Sequence, residues 1–318
     1  MTKLDGATPE ELLATHYEAC VGESPQMAPL GGGWDNENYL VTTKDGARLV
    51  LRRYLISTLE EVKYEVELVK NLVRAGYPTP RMYRNAANEY LSVSSGRAVV
   101  LFEYIAGARP AEAHELDAVV VLAHRLHALG FGFGGPSVRR KFSDLGTRMA
   151  RHAAGRAGAD FGWLMDFMSR WQRGGGSALQ AGHSQLRKSC VHYDLNPSNV
   201  LVVGDHYTVI DFDECVYAPV IVELAGMIHY WCIDDEGALD LERASDVVRR
   251  YDALLTLRGV EHELLPHALI EYQLRDCLKY CVGELDDSPG FELSASISFR
   301  ALKHLVELFD SRRLTVTP

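Results

Sequence analysis

The chain has 318 residues and a mass of 35.4 kDa, enough to bury one large core or two lobes. Its hydrophobic content of 47% is ordinary for a globular enzyme, and its net charge of −10 argues against nucleic acid or an anionic membrane as the main partner. The apolar stretches are too short and interrupted to span a bilayer, and residues 1–13 lack a signal-peptide core, so we expect a cytoplasmic protein.

The first predicted elements are a helix, a glycine-rich turn and a β-hairpin. Residues 8–11 form a capping box with proline at the first helical position, which predicts a helix from Pro9 to about Cys20. Gly32 and Gly33 then lead into predicted strands 39–42 and 48–54. Glycines before a strand let backbone N–H groups approach a phosphate closely. Such turns are common, however, and no Walker-type lysine follows.

A cation and a carboxylate suited to phosphate binding follow the glycine turn. Strand 49–54 carries Arg52 and Arg53, and alternation puts Arg52 on the face opposite Leu51. A second capping box starts a predicted helix at Thr58 that ends near residue 76.

Two carboxylates of this predicted helix, those of Glu61 and Glu65, lie at the edge of its apolar stripe. Either can reach inward toward the strand, or be an ordinary solvated helix side chain.

The middle of the chain changes from strands to helices. Segments 90–94 and 98–104 are predicted strands, and the second passes into a turn at Gly107 that has the character of a hinge. Helical spacing predicts a helix over 116–130, whose His127 is more often a core histidine than a catalytic one. The irregular insert 134–188 either covers an acceptor site or only connects, and we expect its glycines 174–176 to be flexible.

Segment 190–223 carries the strongest chemical signal of the chain. Runs 200–203 and 207–210 flank a turn at 204–206 and predict a hairpin. The hairpin brings Asn199, before its first strand, close to Asp211, after its second. An amide oxygen and a carboxylate are a hard-oxygen pair suited to Mg²⁺ that bridges nucleotide phosphates. Asp213 follows two residues later and is a further candidate.

The loop before this hairpin carries the candidate catalytic carboxylate. Asp194 precedes Asn199 by five residues, where it can reach an acceptor hydroxyl rather than the metal. His192 is better suited to holding the loop by hydrogen bonding than to acid–base chemistry. Each of these residues alone is an ordinary turn residue, but the complete set predicts phosphoryl transfer from a nucleotide.

This segment resembles the catalytic region of the superfamily of aminoglycoside phosphotransferases, choline kinases and type-II homoserine kinases. The usual pattern is His-Gly-Asp-Leu-x-x-x-Asn, then Ile-Asp-Phe or Ile-Asp-Trp, then Asp-Leu-Ala. Here Tyr193 replaces the glycine, which narrows the acceptor site, and Glu223 replaces the last aspartate as a structural anchor. The loop from Gly33 to Tyr39 is similar to that of type-II homoserine kinases.

The resemblance implies an α+β, two-lobed protein-kinase-like fold. Its N-lobe, residues 1–104, has an antiparallel sheet with a helix, and its C-lobe, residues 105–318, is mainly helical. It also implies Mg²⁺ and ATP or GTP as phosphoryl donor, without deciding between the two nucleotides.

Residue by residue, the resemblance implies that Asp194 is the catalytic base and that Asn199 and Asp211 hold the metal. His192 is counted in the catalytic set with Asp194, as the residue that holds the loop. It favours Arg52 over Arg53 as the phosphate-binding cation, and Glu65 over Glu61 as its partner. The residues it implies at the nucleotide are Gly32, Gly33, Asn36, Asn38, Arg52, Glu65 and the main chain of Phe102, Glu103 and Tyr104.

The acceptor is defined least. Acidic and aromatic residues beyond Glu223 form a pocket for an amine-bearing, hydroxylated compound by analogy with aminoglycoside-modifying relatives, or are solvated helix ends. The candidate acceptor-binding residues are Tyr193, Asp213, Tyr230, Trp231, Asp235 and Asp276.

Three functions follow from these residues. The first is phosphorylation of a hydroxyl of an aminoglycoside or nucleoside antibiotic, conferring resistance. The second is a metabolic kinase acting on homoserine or another small amino alcohol. The third is a nucleotide-binding pseudokinase scaffold, against which the presence of Asp194, Asn199 and Asp211 argues. None of the three involves nucleic acid or a membrane, and the sequence leaves the oligomeric state open.

Overall fold

The computed structural model describes residues 7–31, 36–134, 159–281 and 292–314. The described residues belong to two compact units, residues 1–110 with 199–213, and residues 111–198 with 214–318. No helix in these described ranges is long and apolar enough to cross a bilayer.

The first unit is built on antiparallel strands. Its helices are α1 (Pro9–His16), α2 (Glu18–Val21) and α3 (Leu59–Arg74). Its main-sheet strands are β1 (Gln26–Leu30), β2 (Asn36–Thr42), β3 (Arg48–Tyr54), β4 (Met82–Tyr83), β5 (Leu91–Ser94) and β6 (Arg97–Glu103). The order is β1-β2-β3-β6-β4, with β5 also pairing β6. A second sheet has the order β10 (His206–Val209), β9 (Val200–Val203), β7 (Arg109–Pro110).

The two faces of the main sheet are covered by different helices. Because successive side chains of a strand alternate in direction, Leu49 and Leu51 of β3 pack with α1, together with Val99 of β6. Val100 of β6 points the other way and packs against α3, in a cluster that includes Val62. Arg52 pairs with Val100 in the sheet and therefore lies on the α3 face. The predicted position of Arg52, on the strand face opposite Leu51, is confirmed.

The second unit is mainly helical. Its helices are α4 (Leu116–Gly130), α5 (Ala159–Arg173), α6 (Gly175–Gly182), α7 (Val220–Cys232), α8 (Leu241–Leu254), α9 (Gly259–Cys281) and α10 (Ile297–Asp310). Strands β8 (Lys188–Val191) and β11 (Val216–Pro219) form an antiparallel pair. Short 3-10 turns occur at Ala113–Glu115, Pro197–Asn199, Phe212–Glu214 and Leu293–Ala295.

The predicted division at residue 104 differs from these units in two segments. Residues 105–110 and 199–213 both group with the N-terminal sheet. Strand β7 pairs with β9, and the backbone N–H of Val209 donates to the carbonyl oxygen of Pro78 at 2.8 Å. Long-range strand pairing of this kind leaves no local signal in the sequence.

Several predicted elements are confirmed. The helix over 116–130 has the predicted bounds, and both capping boxes are formed, by Thr8 with Glu11 and by Thr58 with Glu61. The helix predicted from Pro9 to Cys20 is interrupted at Tyr17, because α1 ends at His16 and a separate helix, α2, covers Glu18–Val21. Tyr17 leaves the helical conformation, and its fully buried hydroxyl group donates to the carbonyl oxygen of Val99.

Two details of segment 190–223 also differ from expectation. The hairpin turn consists of two residues, Gly204 and Asp205, since His206 already pairs with Val203. Gly204 adopts φ +61° at the first turn position, where a type II′ turn requires glycine. Helix α7 begins at Val220, and it follows β11, a strand that the sequence did not predict.

The expected flexibility of glycines 174–176 was wrong for two of the three. Gly175 and Gly176 lie in the first turn of α6. A Cβ atom at Gly175 would lie 2.3 Å from the ring of Trp171, so glycine is needed there for close packing. The basic residues 139–141 of the same insert lie outside the described residues.

Candidate active site

Arg52 is the centre of a buried polar cluster in the first unit. Its Nη1 lies 2.7 Å from Oδ1 of Asp211 and 3.9 Å from Oε1 of Glu65, and its Nε donates to Oδ1 of Asn38 at 3.0 Å. The guanidinium is 11% exposed and the Glu65 carboxylate 4%. These contacts place four of the predicted nucleotide and metal residues in one cluster.

Charge in this cluster favours the ionised guanidinium. Burial alone would lower the pKa of Arg52, but the nearby carboxylates, Asp211 foremost, raise it above its usual range. Burial also raises the pKa of Tyr54, which lies on the same face of the sheet, well above normal.

The alternative cation and carboxylate have other partners. Arg53, on the opposite face of β3, forms an ion pair with Glu37 at 2.5 Å. Glu61 accepts the backbone N–H of Thr58 as part of a capping box. The cluster therefore contains the members of each pair that the resemblance favours, Arg52 and Glu65.

The hairpin brings the two candidate metal-binding residues to its open end. The backbone N–H of Ile210 donates to the carbonyl oxygen of Asn199 at 2.9 Å, and Asp211 is the next residue. Asp211 adopts φ +66°, an uncommon conformation for a residue other than glycine, of the kind that concentrates at functional sites. Oδ2 of Asp213 accepts a hydrogen bond from Nδ2 of Asn36 at 2.7 Å.

The chemistry of these donors fits Mg²⁺. Across the described ranges, no three histidine, cysteine or acidic side chains are grouped to hold a metal by protein ligands alone. Mg²⁺ usually keeps several waters and takes one or two carboxylates together with substrate phosphates. One amide oxygen and one carboxylate are sufficient for such a site.

The predicted hinge is engaged in a local ion pair. Strand β6 ends at Glu103, whose backbone N–H donates to the carbonyl oxygen of Arg81 and whose carboxylate forms two hydrogen bonds with the Arg81 guanidinium. Phe102 pairs with Val50 in the sheet, and its ring lies 5.6 Å from the Arg52 guanidinium. Tyr104 follows the strand, with Arg48 over its ring. Gly32 and Gly33 lie outside the described residues.

In the second unit, a buried acid holds the loop that carries Asp194. A carboxylate oxygen of Glu223 accepts a hydrogen bond from the backbone N–H of His192 and lies 3.7 Å from Nε2 of His127. All three residues are fully buried. Nδ1 of His127 is 2.5 Å from the hydroxyl of Tyr251. Glu223 therefore anchors the loop, and His127 belongs to the same buried network of polar contacts.

Aromatic side chains also hold this loop, through hydrogen bonds to its backbone carbonyl oxygens. Tyr193 adopts φ +72°, where a residue with a side chain costs on the order of 1 kcal/mol relative to glycine. Its carbonyl oxygen accepts a hydrogen bond from the hydroxyl of Tyr272 at 2.8 Å, and its ring packs on that of Tyr272 with centroids 5.3 Å apart. The Trp231 indole N–H donates to the carbonyl oxygen of Leu195 at 2.9 Å.

Asp194 is half-buried and hydrogen-bonded on two sides. Nδ2 of Asn196 donates to its Oδ1 at 3.1 Å, and the hydroxyl of Tyr230 forms a second hydrogen bond with its side chain. Burial, followed by the Asp194 charge, raises the pKa of Tyr230 well above its usual value, so this hydroxyl stays protonated and donates.

Next to Asp194, one carboxylate lies among aromatic rings. Oδ2 of Asp276 is 3.5 Å from Nε2 of His229. The His229 ring lies 4.4 Å from that of Tyr230 and 5.5 Å from that of Tyr272. Burial lowers the pKa of His229, and Asp276 opposes the shift only in part. The site therefore combines a largely buried carboxylate with a neutral imidazole and two phenol rings.

Two of the sequence candidates for acceptor binding lie apart from this group. The ring of Trp231 is buried and supports the loop through Leu195, which indicates a positioning role. Asp235 is exposed, and its carbonyl oxygen accepts a hydrogen bond from Arg300. Two members of the group, Tyr272 and His229, were not predicted. The four-residue spacing of Tyr272 and Asp276 on one helix was the available signal.

Comparison with known proteins gives the chain a family context. Residues 26–256 match the model of the phosphotransferase enzyme family, APH. A homoserine kinase of Methylorubrum populi is 28% identical over 287 residues, which cover 88% of each protein.

Solved structures with the same fold include a microcompartment-associated aminopropanol kinase, with a TM-score of 0.74, 20% identity and coverage of 97% of this chain and 98% of the other. An amicoumacin kinase in complex with AMP-PNP and Ca²⁺ has a TM-score of 0.66 and 16% identity, with 98% of each chain covered. The predicted fold class and superfamily are confirmed.

Proposed function

Because the chain belongs to the phosphotransferase enzyme family, and is a kinase, we propose that it transfers the γ-phosphoryl group of ATP or GTP to a hydroxyl of a small amine-bearing alcohol. The observation that carries this proposal is the acidic and aromatic group around Asp276, hydrogen-bonded to Asp194 through Tyr230.

The first unit supplies the nucleotide-binding residues. Arg52, oriented by Glu65 and Asn38, would bind the phosphates. Asn199 and Asp211 would hold Mg²⁺, whose charge offsets that of the phosphates in the reaction. A guanidinium that remains charged under all conditions suits this task, because its attraction for phosphate does not depend on pH.

The second unit supplies the base. The acceptor hydroxyl gives its proton to a carboxylate oxygen of Asp194 while its oxygen forms a bond to the γ-phosphorus. The bond from that phosphorus to the bridging oxygen breaks, and the nucleoside diphosphate leaves. Asn196 and Tyr230 donate hydrogen bonds to Asp194 and fix the direction of its carboxylate. Glu223 and Trp231 hold the loop, so positioning supplies much of the catalysis.

An ammonium group is the acceptor feature that this unit is best suited to recognise. A cation is attracted by a buried carboxylate and by the faces of aromatic rings, and Asp276 lies among the rings of His229, Tyr230 and Tyr272. The neutral state of His229 avoids repulsion of the cation. The names of the relatives, homoserine kinase and aminopropanol kinase, describe acceptors with both an amine and a hydroxyl.

A natural-product antibiotic is the second candidate acceptor. A cavity of about 440 Å³ next to Tyr193 and Tyr272 has the volume of a drug-sized site, and this observation favours a larger acceptor. Asp194 and Asp276 are not among the described residues that line this cavity, so we rank the small amino alcohol first.

A panel of acceptors tests the proposal. With Mg²⁺ and a nucleoside triphosphate, we expect release of the nucleoside diphosphate when L-homoserine, ethanolamine or 3-amino-1-propanol is the acceptor. We expect little release with 1-propanol, which lacks the amine. Aminoglycosides should be poor acceptors. Faster turnover of an aminoglycoside, or equal turnover of 1-propanol, would contradict the amino-alcohol assignment.

A pair of variants tests the amine site. Asp276→Asn should raise the KM for the amino alcohol by at least roughly tenfold and leave the KM for the nucleotide unchanged, because it removes a charge that the proposal assigns to the amine and not to the nucleotide. Asp235→Asn is the matched control, since Asp235 is exposed. Equal effects of the two substitutions would remove Asp276 from the acceptor site.

A further inference from the structure

The cavity beside the catalytic loop is a compartment that the proposed reaction does not use. It has a volume of about 440 Å³, and it is formed by α6, the β11–α7 segment and one face of α9. Its walls are mainly apolar, with side chains such as Leu179, Val216, Ile221 and Ala268. Small-molecule sites in proteins have volumes in this range, roughly 300–1,000 Å³.

The polar side chains of the cavity balance one another. Lys279 interacts with Glu214, and Arg275 with Glu271. The balance of charge means that the cavity suits an apolar or aromatic group better than an ion.

Two tyrosines border this cavity and also contact the groups around Asp194. Tyr193 and Tyr272 line the cavity, while Asp194 and Tyr230 do not appear among its described lining residues. The hydroxyl of Tyr272 lies on the catalytic side, where it contacts the Tyr193 carbonyl oxygen and is 3.4 Å from the Tyr230 hydroxyl. Tyr230 in turn forms a hydrogen bond with the side chain of Asp194.

Tyr193 is the member of this wall whose backbone is suited to another residue. At φ +72° glycine is unstrained and a side chain is not. The tyrosine ring is held at this position by packing on Tyr272 and by the Arg275 guanidinium, which lies 5.1 Å from its centre. The ring is thus held by two neighbours, and its replacement by glycine would leave the backbone of the loop without strain.

We propose that Tyr193 is a specificity-determining residue that sets the upper size limit of the acceptor by closing the 440 Å³ cavity off from Asp194. This inference rests on the proposed phosphorylation of small amino alcohols. Removal of the ring joins the cavity to the acceptor site, and the enlarged site admits an amino alcohol with an apolar or aromatic substituent.

Kinetics with two acceptors test the inference. The acceptors are the small amino alcohol that the wild-type enzyme uses best and its N-benzyl derivative. In Tyr193→Gly, the ratio of kcat/KM for the N-benzyl acceptor to that for the small one should rise by at least roughly tenfold. In Tyr193→Phe, which keeps the ring, the ratio should stay at its wild-type value. Because a ratio is compared, a general loss of activity does not affect it.

Chemical rescue provides a second, independent measurement. p-Cresol is the side chain that Tyr193→Gly removes, and an apolar cavity left by a deleted side chain can bind such a molecule. It should raise the Tm of Tyr193→Gly and not that of the wild-type protein, and it should return the acceptor ratio to the wild-type value. Reactions without an amino alcohol show whether p-cresol is itself phosphorylated.

Three results would overturn the inference. The first is an unchanged ratio in a folded Tyr193→Gly enzyme that p-cresol stabilises. The second is complete loss of transfer in a folded Tyr193→Gly enzyme, which would make Tyr193 essential to the reaction. If Tyr193→Gly does not fold, Tyr193→Leu is measured in the same way, and an unchanged ratio there is the third. A wild-type enzyme that phosphorylates no amino alcohol would instead overturn the proposed function.

Discussion

The buried carboxylate of Glu223 accepts a hydrogen bond from the backbone N–H of His192, two residues before Asp194. This contact, together with that of Trp231 with Leu195, connects helix α7 to the loop that carries the proposed base. The other neighbour of the Glu223 carboxylate, His127, is also fully buried, so the hydrogen bond to His192 is isolated from solvent.

Removal of this anchor should affect both stability and turnover. Glu223→Ala leaves a buried backbone N–H without its acceptor, which costs about 1–3 kcal/mol of unfolding free energy. We also expect a lower kcat, because Asp194 is less well positioned. Glu223→Gln keeps an acceptor oxygen and should be milder. Urea unfolding and steady-state kinetics measure both effects, and a Glu223→Ala protein with wild-type stability and kcat would contradict the anchoring role.

Asp194→Asn tests the base directly. The amide has nearly the same shape as the carboxylate but cannot accept the hydroxyl proton, so kcat should fall by roughly 10²–10⁴-fold. Affinity for the nucleotide, measured by calorimetry with a non-hydrolysable analogue, should change little. Turnover close to that of the wild-type enzyme would remove Asp194 from the role of base.

Two neighbouring arginines provide a matched pair for the nucleotide site. Arg52→Gln removes a guanidinium that contacts Asp211 and Glu65, whereas Arg53→Gln removes one that pairs with Glu37 on the other face of the sheet. We expect a weakening of nucleotide binding by at least roughly tenfold for Arg52→Gln only. The dissociation constants of the two variants decide the question, and equal losses would place the phosphates elsewhere.

Asp211→Asn separates the metal from the nucleotide. The substitution keeps an oxygen donor but removes the charge that attracts a divalent cation, so the Mg²⁺ concentration needed for half-maximal turnover should rise by roughly tenfold or more. Titration of Mg²⁺ at a saturating nucleotide concentration measures this change. Unaltered Mg²⁺ dependence would mean that the ion is held by other groups.

Histidines with a lowered pKa should make the protein less stable in acid. Burial lowers the pKa of His229 below its ordinary value of 6.5, and it does the same for His124, His183 and His267. Below pH 6.5 the unfolded chain therefore binds protons that the folded protein does not, so the unfolding free energy falls as the pH falls toward the folded pKa.

Replacement of one such histidine should flatten this dependence. For His229→Gln we expect a smaller slope of unfolding free energy against pH, measured by urea unfolding between pH 5 and 8. The decrease should correspond to the uptake of at most about one proton on unfolding. His206→Gln, at an exposed position that begins strand β10, is the control. The same slope in the wild-type protein and in His229→Gln would show that another group dominates.

Much of the fold could be predicted from local patterns. The capping boxes of Thr8 and Thr58 and the spacing of residues 116–130 depend on contacts between close neighbours in the chain, which a sequence displays directly. Strand β11 and the break at Tyr17 could not be predicted in this way. The first depends on pairing with β8, and the second on a hydrogen bond to Val99 across 82 residues.

The candidate site divides along the same line. The sequence by itself determined the segment proposed for catalysis, because Asp194, Asn199 and Asp211 follow one another within a loop and a short hairpin. Only the tertiary structure decided which of Arg52 and Arg53 contacts Asp211, and which aromatic residues surround Asp276.

Those contacts join residues far apart in the chain, and they depend on which face of a strand or helix is covered by which neighbour. The segment 190–223 therefore fixed the kind of chemistry, whereas the packing of α7 and α9 on the catalytic loop fixed the surroundings in which an acceptor would be recognised.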